Sequence, residues 1–280
     1  MIGIGPFPIQ AVVVAGAVLL AWLVARNIAR GLPDTPAKAA GGLLLDAAFW
    51  GFVAGRLAYI GQWWKEYSAA PMSMIAIGDG GFAWWMGVPV SAAFIWWRTR
   101  SIRVLRSPVL SGLAAGVVVW VAANGVLSLM LRSAEPLPDL PLTTLDEHPV
   151  SLSAYEGRPV VLNLWASWCP PCRREMPAFE QAQTAFPDVA FVMLNQGESA
   201  QQAQAFLQGE GLMLEDVLLD PSSSAMRTLR SRGLPTTLFF DAQGRMVGTH
   251  MGEITLAALK NTVQRRLHSP HRPSVAQGLP

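Results

Sequence analysis

The two cysteines of this chain lie three positions apart, in the run Trp168-Cys169-Pro170-Pro171-Cys172, and the 280 residues contain no others. Two thiols at this spacing can close into a disulfide and reopen, and so exchange two electrons with a partner. Because there is no third cysteine, the sequence offers no relay thiol, no separate structural disulfide and no four-thiolate metal site. The pair therefore predicts thiol–disulfide chemistry.

The sequence on either side places the pair between a strand and a helix. Residues 159–166 are apolar and β-branched, which is typical of a buried strand. The two prolines fit the first turn of a helix, where no intrahelical N–H is needed, and the pattern predicts a helix over 173–183. A helix N-terminus stabilises a thiolate. We expect Cys169 to be the nucleophile and Cys172 to resolve the mixed disulfide.

Two other uses of the pair are open alternatives. A structural disulfide that closes so short a loop would add little stability. Thiolates also favour Cu(I), so the pair could serve a copper chaperone, although Met176 is the one other soft ligand nearby. Redox exchange fits the placement best, and neither a metal nor a cofactor is expected.

The second half of the chain, from about Leu137 to Leu267, resembles the TlpA/ResA branch of the thioredoxin-like superfamily. The resemblance rests on three segments: 160–177 around the cysteines, Asn195-Gln196-Gly197-Glu198, and Gly233-Leu234-Pro235-Thr236-Thr237. It implies an α/β thioredoxin-like fold, with a central mixed sheet and flanking helices. It also implies a thiol–disulfide oxidoreductase outside the cytoplasmic membrane, usually a reductase.

This resemblance assigns roles to individual residues. Cys169 and Cys172 correspond to the redox pair, and Pro235 to a cis-proline beside it, with an ordinary edge-strand proline as the alternative. Glu175 corresponds to an acidic residue within a helical turn of Cys172, where it could handle that thiol's proton, unless it is a solvated surface carboxylate. Asn163 stands where cytosolic thioredoxins carry a buried Asp. Because an amide accepts no proton, the general base is Glu175, solvent or a partner.

Alternating strand and helix patterns complete an α/β domain over 148–268. Strands are predicted at 189–194, 216–219, 236–240 and 245–249, and helices at 199–208, 222–231 and 254–267. Residues 132–147 are interpreted as a linker, and the Pro-, Ser- and Gly-rich segment 269–280 as a disordered tail.

Residues 1–131 have the composition of a transmembrane domain. Long apolar runs predict an all-α bundle of about four membrane-spanning helices, at 8–25, 41–64, within 72–97 and at 109–131. The third run is irregular, because Asp79-Gly80-Gly81 suggests a re-entrant or interfacial start. The net charge of +2 comes mostly from arginines between these runs, and no basic patch indicates nucleic acid.

Arginine and lysine cluster in two of the loops between the predicted spans, around 26–38 and 98–106. Positive loops stay in the cytoplasm, so both termini are expected outside. An even number of spans then places 148–268 in the periplasm of a bacterium, on a multi-pass inner-membrane protein. The first residues lack a basic n-region, which favours a retained span over a cleaved signal peptide.

The membrane half resembles the N-terminal part of prolipoprotein diacylglyceryl transferase, an enzyme that moves a diacylglyceryl group from phosphatidylglycerol to a lipoprotein cysteine. The resemblance rests on 49–59 and 77–87. That family has a histidine where this chain has Trp85, and its later signature has no counterpart, so we interpret this half as a degenerate anchor. Arg56 is a candidate lipid contact and could alternatively pair with Asp46, since ionisable groups within spans are costly.

These features together predict a membrane-anchored periplasmic thiol–disulfide oxidoreductase that reduces extracytoplasmic protein disulfides. Because the predicted spans contain no thiol, a separate membrane protein must supply electrons, and the resemblance implies a donor of DsbD or CcdA type. Candidate clients are apocytochrome c during cytochrome c maturation, a disulfide isomerase and a copper-site assembly protein. The alternatives are a bifunctional or residual diacylglyceryl transferase that acts on membrane lipid, a Cu(I) chaperone and a periplasmic oxidase.

Overall fold

A computed structural model of the chain describes residues 9–32, 37–132 and 137–267. The chain divides into two units, Met1–Ser133 and Ala134–Pro280. The segment predicted as a disordered tail, 269–280, lies outside the described residues.

The described residues of the first unit form helices and the short connections between them. Three of its segments are long and apolar enough to cross a membrane: Val12–Arg30, Lys38–Gln62 and Arg103–Leu127. The α-helices are α1 (Ile9–Arg30), α2 (Ala37–Gln62), α3 (Trp64–Ala69), α4 (Trp84–Thr99) and α5 (Arg106–Arg132), with 3-10 turns at Pro71–Ile75, Ile77–Asp79 and Arg103–Leu105.

The third predicted span, 72–97, is a continuous helix only in its second part. Helix α4 has 16 residues, which extend about 24 Å and fall short of the ~30 Å hydrocarbon core. Before it, two 3-10 turns end at Gly80, whose φ of 70° lies in the left-handed region that glycine adopts at little cost. The irregular start predicted at Asp79-Gly80-Gly81 agrees with this geometry.

Small residues let the long helices of this unit approach closely. A Cβ on Gly112 of α5 would lie 2.5 Å from the carbonyl oxygen of Ala21 on α1, and one on Gly87 of α4 would lie 2.7 Å from that of Gly51 on α2. Within a bilayer, such packing is a main attraction between helices, because lipid is as apolar as the side chains. Helix α1 thus packs on α5, and α2 packs on α4.

The second unit is built on one seven-stranded mixed sheet in the order β2-β1-β5-β4-β3-β6-β7. Strand β3 lies near its middle, parallel to β4 and antiparallel to β6. The strands are β1 (Leu142–Thr144), β2 (Pro149–Val150), β3 (Val160–Trp165), β4 (Ala190–Gln196), β5 (Asp216–Asp220), β6 (Thr236–Phe240) and β7 (Met246–Met251). The helices are α6 (Pro170–Ala185), α7 (Ala200–Glu210), α8 (Ser224–Thr228) and α9 (Leu256–Arg266), with a 3-10 turn at Leu152–Tyr155.

Two hydrophobic cores lie on opposite faces of this sheet. Every residue of β3 and β4 is buried, as expected for central strands covered on both sides. Because side chains alternate along a strand, Val161 and Trp165 join the core that includes α6 and α9, while Leu162 and Leu164 join the other. The same alternation puts Asn163 on the side of the sheet that α6 covers.

The first two strands are absent from the sequence predictions, whereas the other five lie where they were predicted. Strand β1 falls within residues 132–147, the range interpreted as a linker, and Thr143 pairs with Leu219 of β5. Strands of three and two residues are too short to show alternation in sequence.

Candidate functional site

The cysteine pair lies where the chain passes from β3 into α6. Cys169 is the N-cap residue of α6, and its Sγ accepts a 3.3 Å hydrogen bond from the amide of Cys172. The two cysteines form a disulfide. Cys169 is 4% exposed, whereas Cys172 is fully buried. Of the two residues, Cys169 is therefore the more accessible to an incoming sulfur. The division between nucleophile and resolving thiol stays a prediction.

The predicted supporting residues frame this pair. Pro170 and Pro171 form the first turn of α6, where their missing N–H groups leave no intrahelical bond unmade. The side chain of Trp168 is 68% exposed immediately before the first cysteine. A large apolar ring exposed beside a reactive group is typical of a surface that binds another protein.

Glu198 fastens the loop that carries the cysteines, a role that the sequence analysis did not assign. It accepts a 2.7 Å hydrogen bond from the amide of Ser167 and another from the hydroxyl of the same residue. The amide of Asn195 donates to the same carboxylate at 2.6 Å. The one available signal was that Asn195 and Glu198 belong to a segment that carries the family resemblance.

Glu175 is the buried carboxyl of the site, 1% exposed. Nδ2 of Asn163 donates to its Oε1 at 2.7 Å, and the amide of Ile254 donates to its Oε2 at 2.9 Å. Burial raises the pKa of Glu175 from its ordinary value of 4.5 to about 8; the two hydrogen bonds oppose the rise, and the charge of Glu253 adds to it. Glu175 is therefore not a solvated surface carboxylate, and it can gain or lose a proton near neutral pH.

Pro235 lies at the same end of the strands as the cysteine loop. Its peptide bond with Leu234 is cis. The next residue, Thr236, pairs with Leu164 near the end of β3. The carbonyl oxygen of Pro235 accepts a 2.9 Å hydrogen bond from the amide of Gly252. The register of β3 and β6 thus brings Pro235 to the end of β3, where the loop to the cysteines begins.

Arg56 belongs to the other unit, where it pairs with Asp79 rather than with Asp46. Its Nη1 lies 2.9 Å from Oδ1 of Asp79, and both residues are buried. Asp46 is exposed on α2, and ten positions along a helix separate it from Arg56 by about 15 Å. The suggested pair of Asp46 with Arg56 is therefore wrong, because both residues are on one rigid helix and cannot approach each other.

The guanidinium of Arg56 holds the irregular segment before α4. Besides Asp79, its Nη1 donates to the carbonyl oxygen of Gly81 at 2.9 Å and its Nη2 to that of Met74 at 3.0 Å. The hydroxyl of Tyr67 donates to the same aspartate at 2.6 Å. Both terminal nitrogens of Arg56 are thus engaged within the unit.

A disulfide at a helix N-terminus, beside a cis-proline on a mixed sheet, defines the second unit as a thioredoxin-fold redox domain. Residues 134–248 match the family model described as the AhpC/TSA family, and residues 1–126 match that of prolipoprotein diacylglyceryl transferase. This second match and the long apolar helices associate the first unit with a membrane.

Several known proteins are similar to the second unit. The thioredoxin-like protein YneN of Bacillus subtilis is 33% identical over 129 residues, which cover 45% of this chain and 75% of YneN. The thiol-disulfide oxidoreductase ResA of Geobacillus kaustophilus is 28% identical over 169 residues, which cover 59% of this chain and 94% of ResA. A thiol:disulfide interchange protein of the thioredoxin family from Chlorobium tepidum has a solved structure that is 26% identical, with a TM-score of 0.41, covering 48% of this chain and 97% of that one.

The chain belongs to the ResA-type, thioredoxin-like thiol–disulfide oxidoreductases.

Proposed function

We propose that the protein is a membrane-anchored reductase of extracytoplasmic protein disulfides, with Cys169 and Cys172 as its redox pair. The observation that carries this proposal is the buried carboxyl of Glu175, one helical turn after Cys172 and with a pKa near 8. A reductase must deprotonate its second thiol in order to release the client. The ionised form of a carboxyl with this pKa is a base strong enough to accept that proton, and its fraction grows as pH rises towards 8.

The reaction proceeds in two exchange steps. The thiolate of Cys169 attacks one sulfur of the client disulfide, forms a mixed disulfide and expels the other client sulfur as a thiolate. Cys172 then transfers its proton to Glu175 and attacks the Cys169 sulfur, which expels the second client thiolate. Two electrons have passed to the client, whose disulfide is now two thiols, and the protein is left with the disulfide that the structure contains.

The surroundings of the pair suit a client in extended conformation. Trp168 offers an exposed apolar ring. Pro235, directly before β6, has no N–H to pair with a neighbouring strand. A client strand can pair with the backbone beside this proline and so bring its disulfide to Cys169. Apocytochrome c, a disulfide isomerase and a copper-site assembly protein are the clients we propose.

Re-reduction requires electrons from another protein. Since the chain has two cysteines and both belong to the pair, its membrane unit cannot pass electrons by disulfide exchange. We therefore propose a membrane thiol transporter of DsbD or CcdA type as the donor.

The charge distribution supports a periplasmic redox domain. Arg26, Arg30, Arg103 and Arg106 lie where the end of α1 meets the start of α5, and positive ends of a bundle stay in the cytoplasm. Helix α5 then leads outward to the second unit. We propose that α4, which packs along α2, completes the fourth crossing together with the segment that Arg56 holds. The membrane unit then acts as an anchor, since the terminal nitrogens of Arg56 are taken up internally.

Single cysteine substitutions in the full chain test the proposal. Cys169→Ser should abolish the reduction of insulin disulfides by the detergent-solubilised protein, because the attacking sulfur is lost. Cys172→Ser should instead accumulate mixed disulfides with clients in cells, since the second step is blocked. In wild-type cells the pair should be mostly reduced, and it should become oxidised when the membrane thiol transporter is deleted. A pair that is oxidised in both strains would indicate an oxidase.

A further inference from the structure

The three residues that follow β7, Gly252 to Ile254, connect the carboxyl of the site to its proline. The amide of Gly252 donates to the carbonyl oxygen of Pro235 at 2.9 Å, and the amide of Ile254 donates to Oε2 of Glu175 at 2.9 Å. Ile254 itself is 2% exposed. This segment, here named the strap, therefore bonds the carboxyl oxygen of Glu175 that Asn163 does not.

An ion pair ties the strap to helix α6. Both Nε and Nη2 of Arg174, the neighbour of Glu175, contact Oε2 of Glu253 in the strap, at 2.8 and 2.7 Å. His250 of β7 adds a 3.1 Å contact between its Nε2 and the carbonyl oxygen of Glu253. The strap is thus anchored between α6 and β7 while its amides reach the two site residues.

We propose that Arg174 and Glu253 are positioning residues of the redox site, because their ion pair keeps the strap closed over Glu175 and excludes water from that carboxyl. The inference rests on the proposed role of Glu175 and adds how its environment is maintained. An exposed ion pair contributes little to global stability. Here, however, the ion pair needs only to favour the closed position of the three-residue strap over an open one.

The charges around Glu175 separate two explanations of the ion pair. The charge of Glu253 on the strap raises the pKa of Glu175. Arg174 precedes Glu175 on the same helix and contacts Glu253, as His250 of β7 does. If the ion pair acted only by its charges, loss of the arginine would raise the pKa of Glu175 and loss of the glutamate would lower it. If the pair holds the strap, either loss admits water and lowers the pKa, because burial is the largest cause of its rise.

The test uses the oxidised full chain in detergent and follows the infrared C=O band of the protonated Glu175 carboxyl against pH. Glu175→Gln identifies the band by its disappearance. We expect Arg174→Gln and Glu253→Gln each to move the titration midpoint down by about one pH unit, and the double variant to move it no further than the larger single shift. Arg173→Gln is the matched control. Arg173 is also on α6 and forms a similar 2.6 Å pair, with Glu210 of α7, so its loss should leave the midpoint unchanged.

Shifts of opposite sign, or no shift in either single variant, would overturn the inference. Its failure is distinguishable from failure of the proposed function. If the proposed function is wrong, the alkylation rate of the reduced thiols would not follow the titration of Glu175. That result would hold whatever the strap variants do to the infrared band.

Discussion

Asn163 on β3 donates a 2.7 Å hydrogen bond to Glu175 on α6, and the same nitrogen donates to Oγ1 of Thr237 on β6 at 3.1 Å. The strand position that holds an acid in cytosolic thioredoxins here holds an amide, and the acid comes from the helix instead. Because the amide donates, it stabilises the ionised form of the carboxyl against the effect of burial. Helix α6 thus carries both Cys172 and the carboxyl that we propose takes its proton.

Removal of this carboxyl should slow the resolving step. We expect Glu175→Gln to reduce the rate at which Cys172 attacks the mixed disulfide by about 100-fold at neutral pH. In the wild type this rate should rise with pH to a midpoint near 8, as Glu175 becomes able to accept a proton. Stopped-flow reduction of a chromogenic disulfide would measure it. The surface variant Glu210→Gln is the control, and an unchanged pH profile in Glu175→Gln would exclude the carboxyl from proton transfer.

The same carboxyl should make stability depend on pH. The pKa of Glu175 is raised from 4.5 to about 8 on folding, so between these values the folded protein binds a proton that the unfolded chain has lost. The free energy of unfolding should therefore fall as pH rises through this window and level off above it, by roughly 3–5 kcal/mol in total. Urea unfolding of the oxidised protein at pH 5 and pH 8 measures the difference. Glu175→Gln should largely remove it, and an equal fall in that variant would assign the effect to other groups.

Glu198 should stabilise the cysteine loop through charge-assisted hydrogen bonds. We expect Glu198→Ala to lower the free energy of unfolding by about 2–3 kcal/mol, because it leaves a buried amide group of Asn195 and the backbone N–H of Ser167 without their acceptor. Ser167→Ala, which loses one hydroxyl bond, should cost about 1 kcal/mol. Denaturant unfolding of both variants checks the order, and equal losses would contradict this account of the loop.

The amino-acid pattern is sufficient to predict the parts of the site that lie close together in sequence. The cysteines, the first turn of α6 and the approach along β3 form one continuous segment, so periodicity and spacing identify them. The strap could not be predicted, because Glu253 reaches Arg174 from 79 positions away through the order of the strands. Asp79 was missed as the partner of Arg56 for the same kind of reason, since an irregular turn brings it back to α2.

Close helix packing in the membrane unit should depend on the absence of a side chain at Gly51. A Cβ there would lie 1.9 Å from Oγ of Ser91 and 2.9 Å from the carbonyl oxygen of Gly87. We expect Gly51→Val to separate α2 from α4 and to lower the thermal unfolding temperature of this unit in detergent. Gly42→Val on the same helix is the control, because a Cβ at Gly42 meets nothing within 4 Å. Equal effects of the two variants would show that helix propensity, rather than packing, is responsible.

Arg56 and Asp79 should affect the stability of the membrane unit mainly because each compensates the buried charge of the other. Asp79→Asn leaves the guanidinium charge without its counter-charge, and we expect a loss of about 3–5 kcal/mol in the stability of the membrane unit. Replacing both residues by leucine removes both charges and should cost less than the single change. Thermal unfolding in detergent, monitored by tryptophan fluorescence, compares the variants. If Arg56 instead served a phospholipid headgroup, Asp79→Asn would leave stability unchanged, and Arg56→Gln would reduce the phosphatidylglycerol that copurifies with the protein.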